Sequence, residues 1–319
     1  MIARLLGRRL GLALLTVVLA TILVFVALQA LPGNLATQIL GKDATPDAVA
    51  QLTSQLHLDR PGWLRYVGWL GGAVHGDFGT SLATSERVVT MAGSYLRNTA
   101  VLAGITIVVG ITLALLLGVI AGMTRDRWPD LAISGLALVA MSIPEFTFAT
   151  LLVLVFAVKL AWFPAVVTDG ADASLGTILH NVPLPATALS VVMAAYIVRM
   201  MRTSVIDVLA SEYVAMATLR GLPRRRVLVH HVLPNALLPA LNVIAINIAW
   251  LVGGVVVVEA VFNFPGIGTL MLDAVHNRDV PVLQFIAVIG ALVYVISNLL
   301  ADVAAAAFNP RLRTPARSA

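Results

Sequence analysis

Six apolar stretches of about 20 residues each, roughly 10–30, 99–123, 131–158, 182–201, 236–258 and 281–306, dominate this chain and set what it can fold into. Each is long enough to cross a hydrocarbon layer as a helix. The second and fifth are nearly free of charge, the third contains Pro144 and Glu145, the sixth ends with Asp302, and the fourth, the shortest, exits at Arg199 and Arg202. With 59% hydrophobic and 12% charged residues, the chain lacks the polar groups to cover a water-soluble surface of 319 residues. Its mean hydropathy of +0.94 says the same, so the bilayer is the solvent for much of it. No period-two alternation of short strands runs through the sequence. Backbone groups in lipid must be satisfied internally, which leaves an all-α integral membrane bundle of six transmembrane helices.

Positive charge sets the orientation, because short loops rich in Lys and Arg stay in the cytoplasm. With the N-terminus inside, the cytoplasmic segments hold Arg4, Arg8, Arg9, Arg125, Arg127, Arg199, Arg202, Arg220, Arg224, Arg225, Arg226, Arg311, Arg313 and Arg317, which is 14 of the 21 basic residues. Only Asp126, Asp130, Asp207 and Glu212 oppose them, a net +10, whereas the outer segments carry seven basic and nine acidic residues. Both termini are expected in the cytoplasm. The first stretch follows a basic start, as a signal peptide does, but Leu31-Pro32-Gly33-Asn34 is a poor cleavage site, and the stretch is expected to be a retained helix. The basic residues sit at membrane exits, which points to lipid and not to nucleic acid. Zero cysteines exclude disulfides, thiolate metal sites and a cysteine nucleophile.

The chain divides into residues 1–30, the N-terminus and first span; 31–98, an extracytoplasmic segment; and 99–319, a core with five spans. In the outer segment, Thr45-Pro46-Asp47 signals a helix start running to Leu56, and a turn at Asp59-Arg60-Pro61-Gly62 leads to Trp63, Tyr66 and Trp69. Such aromatics suit a membrane surface, or a small packed cap with no part in recognition. The outer loop 159–184 and the segment 263–280 are too short to be domains, and no repeat or low-complexity tract occurs.

Residues 203–235 form the largest cytoplasmic excursion. Their pattern predicts a first helix over about 205–220, with Val205, Leu209, Val214, Ala217 and the Ala and Met positions around them in its apolar stripe, then Gly221 as a C-terminal cap and Pro223 opening a second helix. Two helices bent sharply at a glycine make a rigid knob, with Arg224, Arg225 and Arg226 just beyond the bend. Physics admits two readings, a knob that transmits force and an interfacial hairpin on anionic lipid.

The spacing Ala217-x3-Gly221-x11-Leu233-Pro234 resembles the signature loop of permease subunits of ATP-binding-cassette importers. Glu212-Tyr213-Val214 followed by Arg220-Gly221-Leu222 is similar to its dipeptide, oligopeptide and nickel form. Two positions depart from the general loop: Ala215 stands where that loop has a glutamate, which peptide-type permeases commonly lack too, and His231 stands where an aliphatic is usual. The resemblance continues in order through Leu58-Asp59-Arg60-Pro61, Gly76-Asp77-Phe78-Gly79-Thr80-Ser81, Ser142-Ile143-Pro144, the run from Val258-Glu259 to Gly266-Ile267-Gly268, and Asn309-Pro310-Arg311. Within the family it is the first of two paired permeases, dipeptide permease B-like, that this chain is most similar to.

The resemblance implies several partners in the bacterial cytoplasmic (inner) membrane: a homologous second permease, two ATP-binding-cassette ATPase subunits that hold ATP-Mg, and an extracytoplasmic solute-binding protein. It implies coupling to the ATPases through Glu212, Tyr213, Ala217, Arg220, Gly221, Pro223, Arg224 and Arg225. Contacts to the binding protein are expected from Asp77, Phe78, Asn277 and Asp279.

The residues themselves offer no catalytic chemistry. Gly41-Lys42-Asp43 lacks the rest of a phosphate-binding loop, no Gly-x-Ser-x-Gly occurs, and the adjacent His230 and His231 point to different helix faces. No cofactor, metal or catalytic residue is expected on this chain, and ATP is handled elsewhere. Within membrane depth, Glu145, Asn242, Asn247 and Glu259 are candidates for the translocation path, since buried polar groups usually face the bundle interior or water. The asparagines equally suit hydrogen bonds between helices, Glu145 a structural role at a helix break, and Glu259 a place at the outer boundary. The alternative function is a secondary transporter or channel without ATPase partners, for which inverted repeats and midplane ion ligands would be expected and are not found.

Overall fold

The structure, a computed structural model, describes residues 2–30, 37, 45–55 and 59–308. Leu31-Pro32-Gly33-Asn34, Gly41-Lys42-Asp43, Leu56, Leu58, Asn309-Pro310-Arg311, Arg313 and Arg317 lie outside the described residues. The described elements are helical apart from one isolated antiparallel bridge, Thr80 to Arg87.

In chain order they are α1 (Ile2–Ala30), α2 (Pro46–Gln55), α3 (Gly62–Val74), α4 (Val88–Met123), α5 (Trp128–Ser142) and α6 (Glu145–Leu152), which runs on through π-helical Val153–Lys159. Then come α7 (Leu175–Asn181), α8 (Pro183–Leu209), α9 (Glu212–Leu219) and α10 (Arg224–Val227), which passes through π-helical Leu228–Val232 into α11 (Leu233–Phe262). The last two are α12 (Ile267–His276) and α13 (Val280–Phe308). Among the described residues, four helices are long and apolar enough to cross a membrane, and up to six if each of two bent pairs counts as one span.

The third apolar stretch, 131–158, is broken at Pro144, as expected from the sequence. Its helices, Trp128–Ser142 and Glu145–Lys159, meet at a bend of 107°. The cause is Pro144, whose ring excludes the preceding residue from the helical region, and Ile143 is extended with φ −95° and ψ 127°. The fifth stretch begins earlier than expected, since helix continues from Arg224 through the π turn.

Two compact units divide the chain. One comprises Met1–Thr99, Gly170–Asp172 and Pro265–Val295. Its core packs Val88 and Ala92 of α4 against Leu270 and Ala274 of α12 and Val282, Phe285 and Ile286 of α13. A chain of rings ties α1 and α3 to this core: Phe25–Tyr66 at 5.3 Å, Tyr66–Trp69 at 6.0 Å, Trp69–Phe78 at 6.3 Å and Phe78–Phe285 at 4.9 Å. Trp63 stays exposed, while Tyr66 also shares a 2.9 Å hydrogen bond with the Thr21 hydroxyl.

The other unit comprises Ala100–Asp169, Ala173–Phe264 and Ile296–Ala319. Its central element is α8, which contributes Leu189 to a core with α11, Ile197 to one with α4 and α5, and Met201 and Val205 to one with α9 and α10. That last core positions the knob described next.

Candidate functional site

The segment after α8 is built as two faces. The chain breaks at Ala210 and Ser211, so the single helix expected over about 205–220 is two, and Val205 and Leu209 belong to α8. The inner face of α9, Val214 and Ala217, packs with Val227, Val232, Ala236 and Ala240. Ala217, expected among the surface contacts, is therefore an anchor, because a small apolar side chain there lets α9 approach the helices beneath. Tyr213, Met216 and Leu219 point the other way and are 44%, 53% and 82% exposed. They lie three residues apart on one helical face, where apolar groups gain nothing from water.

The bend closes as expected. Gly221 takes φ +76°, its N–H donates to the Thr218 carbonyl at 3.0 Å, and the Leu222 N–H donates to the Ala217 carbonyl at 3.4 Å. This pair of bonds is the Schellman arrangement, and its hydrophobic contact is supplied by Leu222 packed on the core of Ala217. Pro223 sits one position earlier than expected, as the cap of α10 and not its first residue, and its carbonyl accepts from Arg226 at 2.8 Å. Arg220, Arg224 and Arg225 are exposed around the bend, with Glu212 at the other end of α9. The Tyr213 hydroxyl donates to the His231 carbonyl at 3.4 Å, tying the exposed face to the π turn. Met216, expected in the same stripe as Val214 and Ala217, lies instead on the exposed face, and with Leu219 its spacing from Tyr213 marks a second apolar stripe opposite them.

The polar residues of the spans do not form one cluster. Glu145 opens α6, half-buried, with its carboxylate against α11: a Cβ added at Gly254 would meet Oε2 at 2.7 Å. Asn247 is buried two turns before Gly254 on the same face, and its amide donates to the Val243 carbonyl of its own helix at 2.8 Å. Asn242 is exposed on a different face. Glu259, on α11, is 0% exposed, so it does not lie at a solvated boundary.

Of the four residues expected on an outer surface, two are exposed. Asp77 accepts the Gly79 N–H at 3.0 Å and caps the Gly76–Gly79 turn, and Asn277 ends α12. Phe78 is half-buried in the ring chain. Asp279 is 2% exposed and accepts from the Ser81 hydroxyl and, at 3.3 Å, the Ala83 N–H. Its carboxylate thus pins the Gly-Thr-Ser turn to the start of α13 and is no surface contact. Among the described residues no group of His, Asp or Glu side chains is arranged to hold a metal ion.

Residues 114–314 match the model of the binding-protein-dependent transport system inner membrane component, and residues 1–116 match that of its N-terminal region. The chain belongs to this family of transport-system membrane components. It is a multi-pass inner-membrane permease, not itself an enzyme, and the family implies an ATPase and a binding protein as partners. Similar chains include a Sinorhizobium fredii protein with the name probable peptide ABC transporter permease, 33% identical and covering 96% of this chain and 98% of that one. A Brucella ovis protein named for peptide permease activity is 38% identical, covering 92% and 93%. The glutathione transport system permease protein GsiC of Escherichia coli is 34% identical, covering 93% and 95%. Among solved structures, an amino acid ABC transporter crystallised with histidines shares the fold at TM-score 0.53 and 16% identity, over 68% of this permease and 94% of that chain.

Proposed function

We propose that this permease forms, with a homologous second permease, the path by which an ATP-driven importer takes up short peptides or a peptide-sized solute such as glutathione. Of two ATPase subunits carrying ATP-Mg, one docks on the α9–α10 knob and the other on the second permease, and a binding protein delivers solute to the opposite face. The observation that carries this reading is the two-sided knob: α9 is anchored inward by Val214 and Ala217 and offers Tyr213, Met216 and Leu219 to a partner, with Arg220, Arg224 and Arg225 exposed at the bend that follows. The names of the relatives support the solute class. In this scheme residues 1–30 anchor the chain, 31–98 face the binding protein with Asp77 and Asn277 as the available contacts, and 99–319 form the core. The knob and both termini are cytoplasmic, following the charge asymmetry of the loops.

The orientation has a direct test. The chain has no cysteine, so single cysteines at exposed Thr168 and Arg225 report each side without background. In intact cells an impermeant thiol reagent is expected to label Thr168→Cys and to spare Arg225→Cys until the membrane is opened. Labelling of Arg225→Cys from outside would reverse the orientation and remove the docking role with it.

Asn247 lies on the face of α11 against which the Glu145 carboxylate of α6 rests, and these two are the residues best placed to meet solute. Glu145→Ala is expected to lower uptake several-fold while the complex assembles and hydrolyses ATP, because a carboxylate kept at membrane depth has a function to serve. Normal uptake by both Glu145→Ala and Asn247→Ala would make these residues structural.

A further inference from the structure

The second unit holds a charged pair that joins two of its helices. Arg202, on α8, donates from Nε and Nη2 to the two carboxylate oxygens of Asp130, on α5, at 2.5 and 2.7 Å, across 72 positions of sequence. Asp130 is 0% exposed, and it also accepts from the Asp126 N–H at 2.9 Å and the Ser134 hydroxyl at 3.1 Å. Four donors therefore fix one carboxylate, and through it the start of α5 to the last third of α8.

The next turns of α8 are held from another side. A Cβ at Gly118 of α4 would lie 2.6 Å from the Met201 Cβ, and one at Gly122 would lie 2.7 Å from the Val205 Cβ. Real side chains do not approach so closely, so the two glycines seat α8 against α4. Beyond Val205 the chain reaches Ala210 and turns into α9. A buried ion pair adds little net stability compared with apolar packing, because desolvating both charges costs as much as their attraction returns. What a bidentate guanidinium–carboxylate pair adds is a fixed relative orientation.

We propose that Arg202 and Asp130 are positioning residues for energy coupling. With the Gly118 and Gly122 seats, they make α4, α5 and the end of α8 one lever, so that displacement of α9 is delivered into the α4–α5 hairpin and not absorbed at the end of α8. The lever rests on the docking role of α9 proposed above, but it makes a separate statement about what moves together.

The assembled importer, with its ATPases, second permease and binding protein, is the material for the test, with other reactive cysteines replaced. Spin labels at Arg127→Cys and Ala210→Cys, both exposed, read the distance from the start of α5 to the end of α8. In the otherwise native chain that distance is expected to stay narrow and constant, within the ~1–2 Å typical of helix shifts, between nucleotide-free and ATP-trapped states. In Arg202→Gln it is expected to broaden while the ATPases stay bound, and uptake per ATP hydrolysed is expected to fall at least about fivefold, the low end of ordinary coupling strengths. Arg202→Lys, which keeps the charge without the fork, should be intermediate.

A nucleotide-dependent change of distance in the native chain would overturn the lever even if every variant misfolded. Normal uptake per ATP in Arg202→Gln, or loss of its ATPases, would overturn it too. Failure of the docking role shows elsewhere, as ATPases retained when the exposed face of α9 is made acidic.

Discussion

Replacing both Met216 and Leu219 with aspartate is expected to strip the ATPase subunits from the purified permease while leaving the permease itself folded. Leu219 is 82% exposed and Met216 53%, so neither supports the chain's own core. Burying such a side chain against a partner is worth about 1.5–3 kcal/mol, and an unpaired carboxylate in the same contact reverses the sign. Losing two such contacts corresponds to an affinity loss on the order of a hundredfold or more, since each 1.4 kcal/mol is tenfold. Retention of ATPase subunits during affinity purification of the double variant is the measurement. Elution of the permease as a single folded species without them supports the docking face, and full retention would move the contact elsewhere.

Much of this knob is legible in the sequence, and the reason is local. Gly221 followed by Leu222 and Pro223 encodes the bend because only a residue without Cβ takes φ +76° cheaply and because proline bars helix continuation. Pro144 marks the break in the third span by the same physics. The division at Ala210 and Ser211 is less visible, since apolar residues keep nearly helical spacing across it; Ser211 takes the N-cap position of α9 with extended backbone, but its hydroxyl donates back to the Val208 carbonyl of α8 at 2.5 Å. The Asp130–Arg202 pair carries no local signal at all. Two charges counted only toward the cytoplasmic total become an ion pair, Asp130 fully buried and Arg202 partly so, when two distant helices bring them together. Glu259 and Asp279 show the same limit from the other side, because burial is a property of the packed helices around a carboxylate and not of its neighbours in sequence.

A second large effect is expected at the bend. Gly221→Val forces a β-branched side chain into the left-handed region, which costs about 1–2 kcal/mol for residues with a Cβ, and nothing lies within 4 Å of the added atom to offset it. Relief comes from opening the two bonds to Ala217 and Thr218, which lets α10 swing relative to α9. Uptake is expected to fall at least about tenfold, with stimulation of the ATPase by loaded binding protein lost in parallel, since one opened bond network of this size accounts for that factor. Gly221→Asn, which tolerates the same backbone region, should retain most activity. Equal activity of the valine and asparagine variants with the native chain would show that the bend has no role in coupling.

The central claim is that this permease moves peptide-sized solute only under the control of ATP hydrolysed by partner subunits. Reconstituted in proteoliposomes with its second permease and ATPases, and supplied with binding protein outside, it is expected to accumulate labelled di- or tripeptide or glutathione against a gradient. That uptake should require ATP and magnesium in the lumen, where the knob faces, and should vanish when either the ATPases or the binding protein is omitted. Uptake by the permease without ATPases, driven by a proton or sodium gradient, would contradict the account.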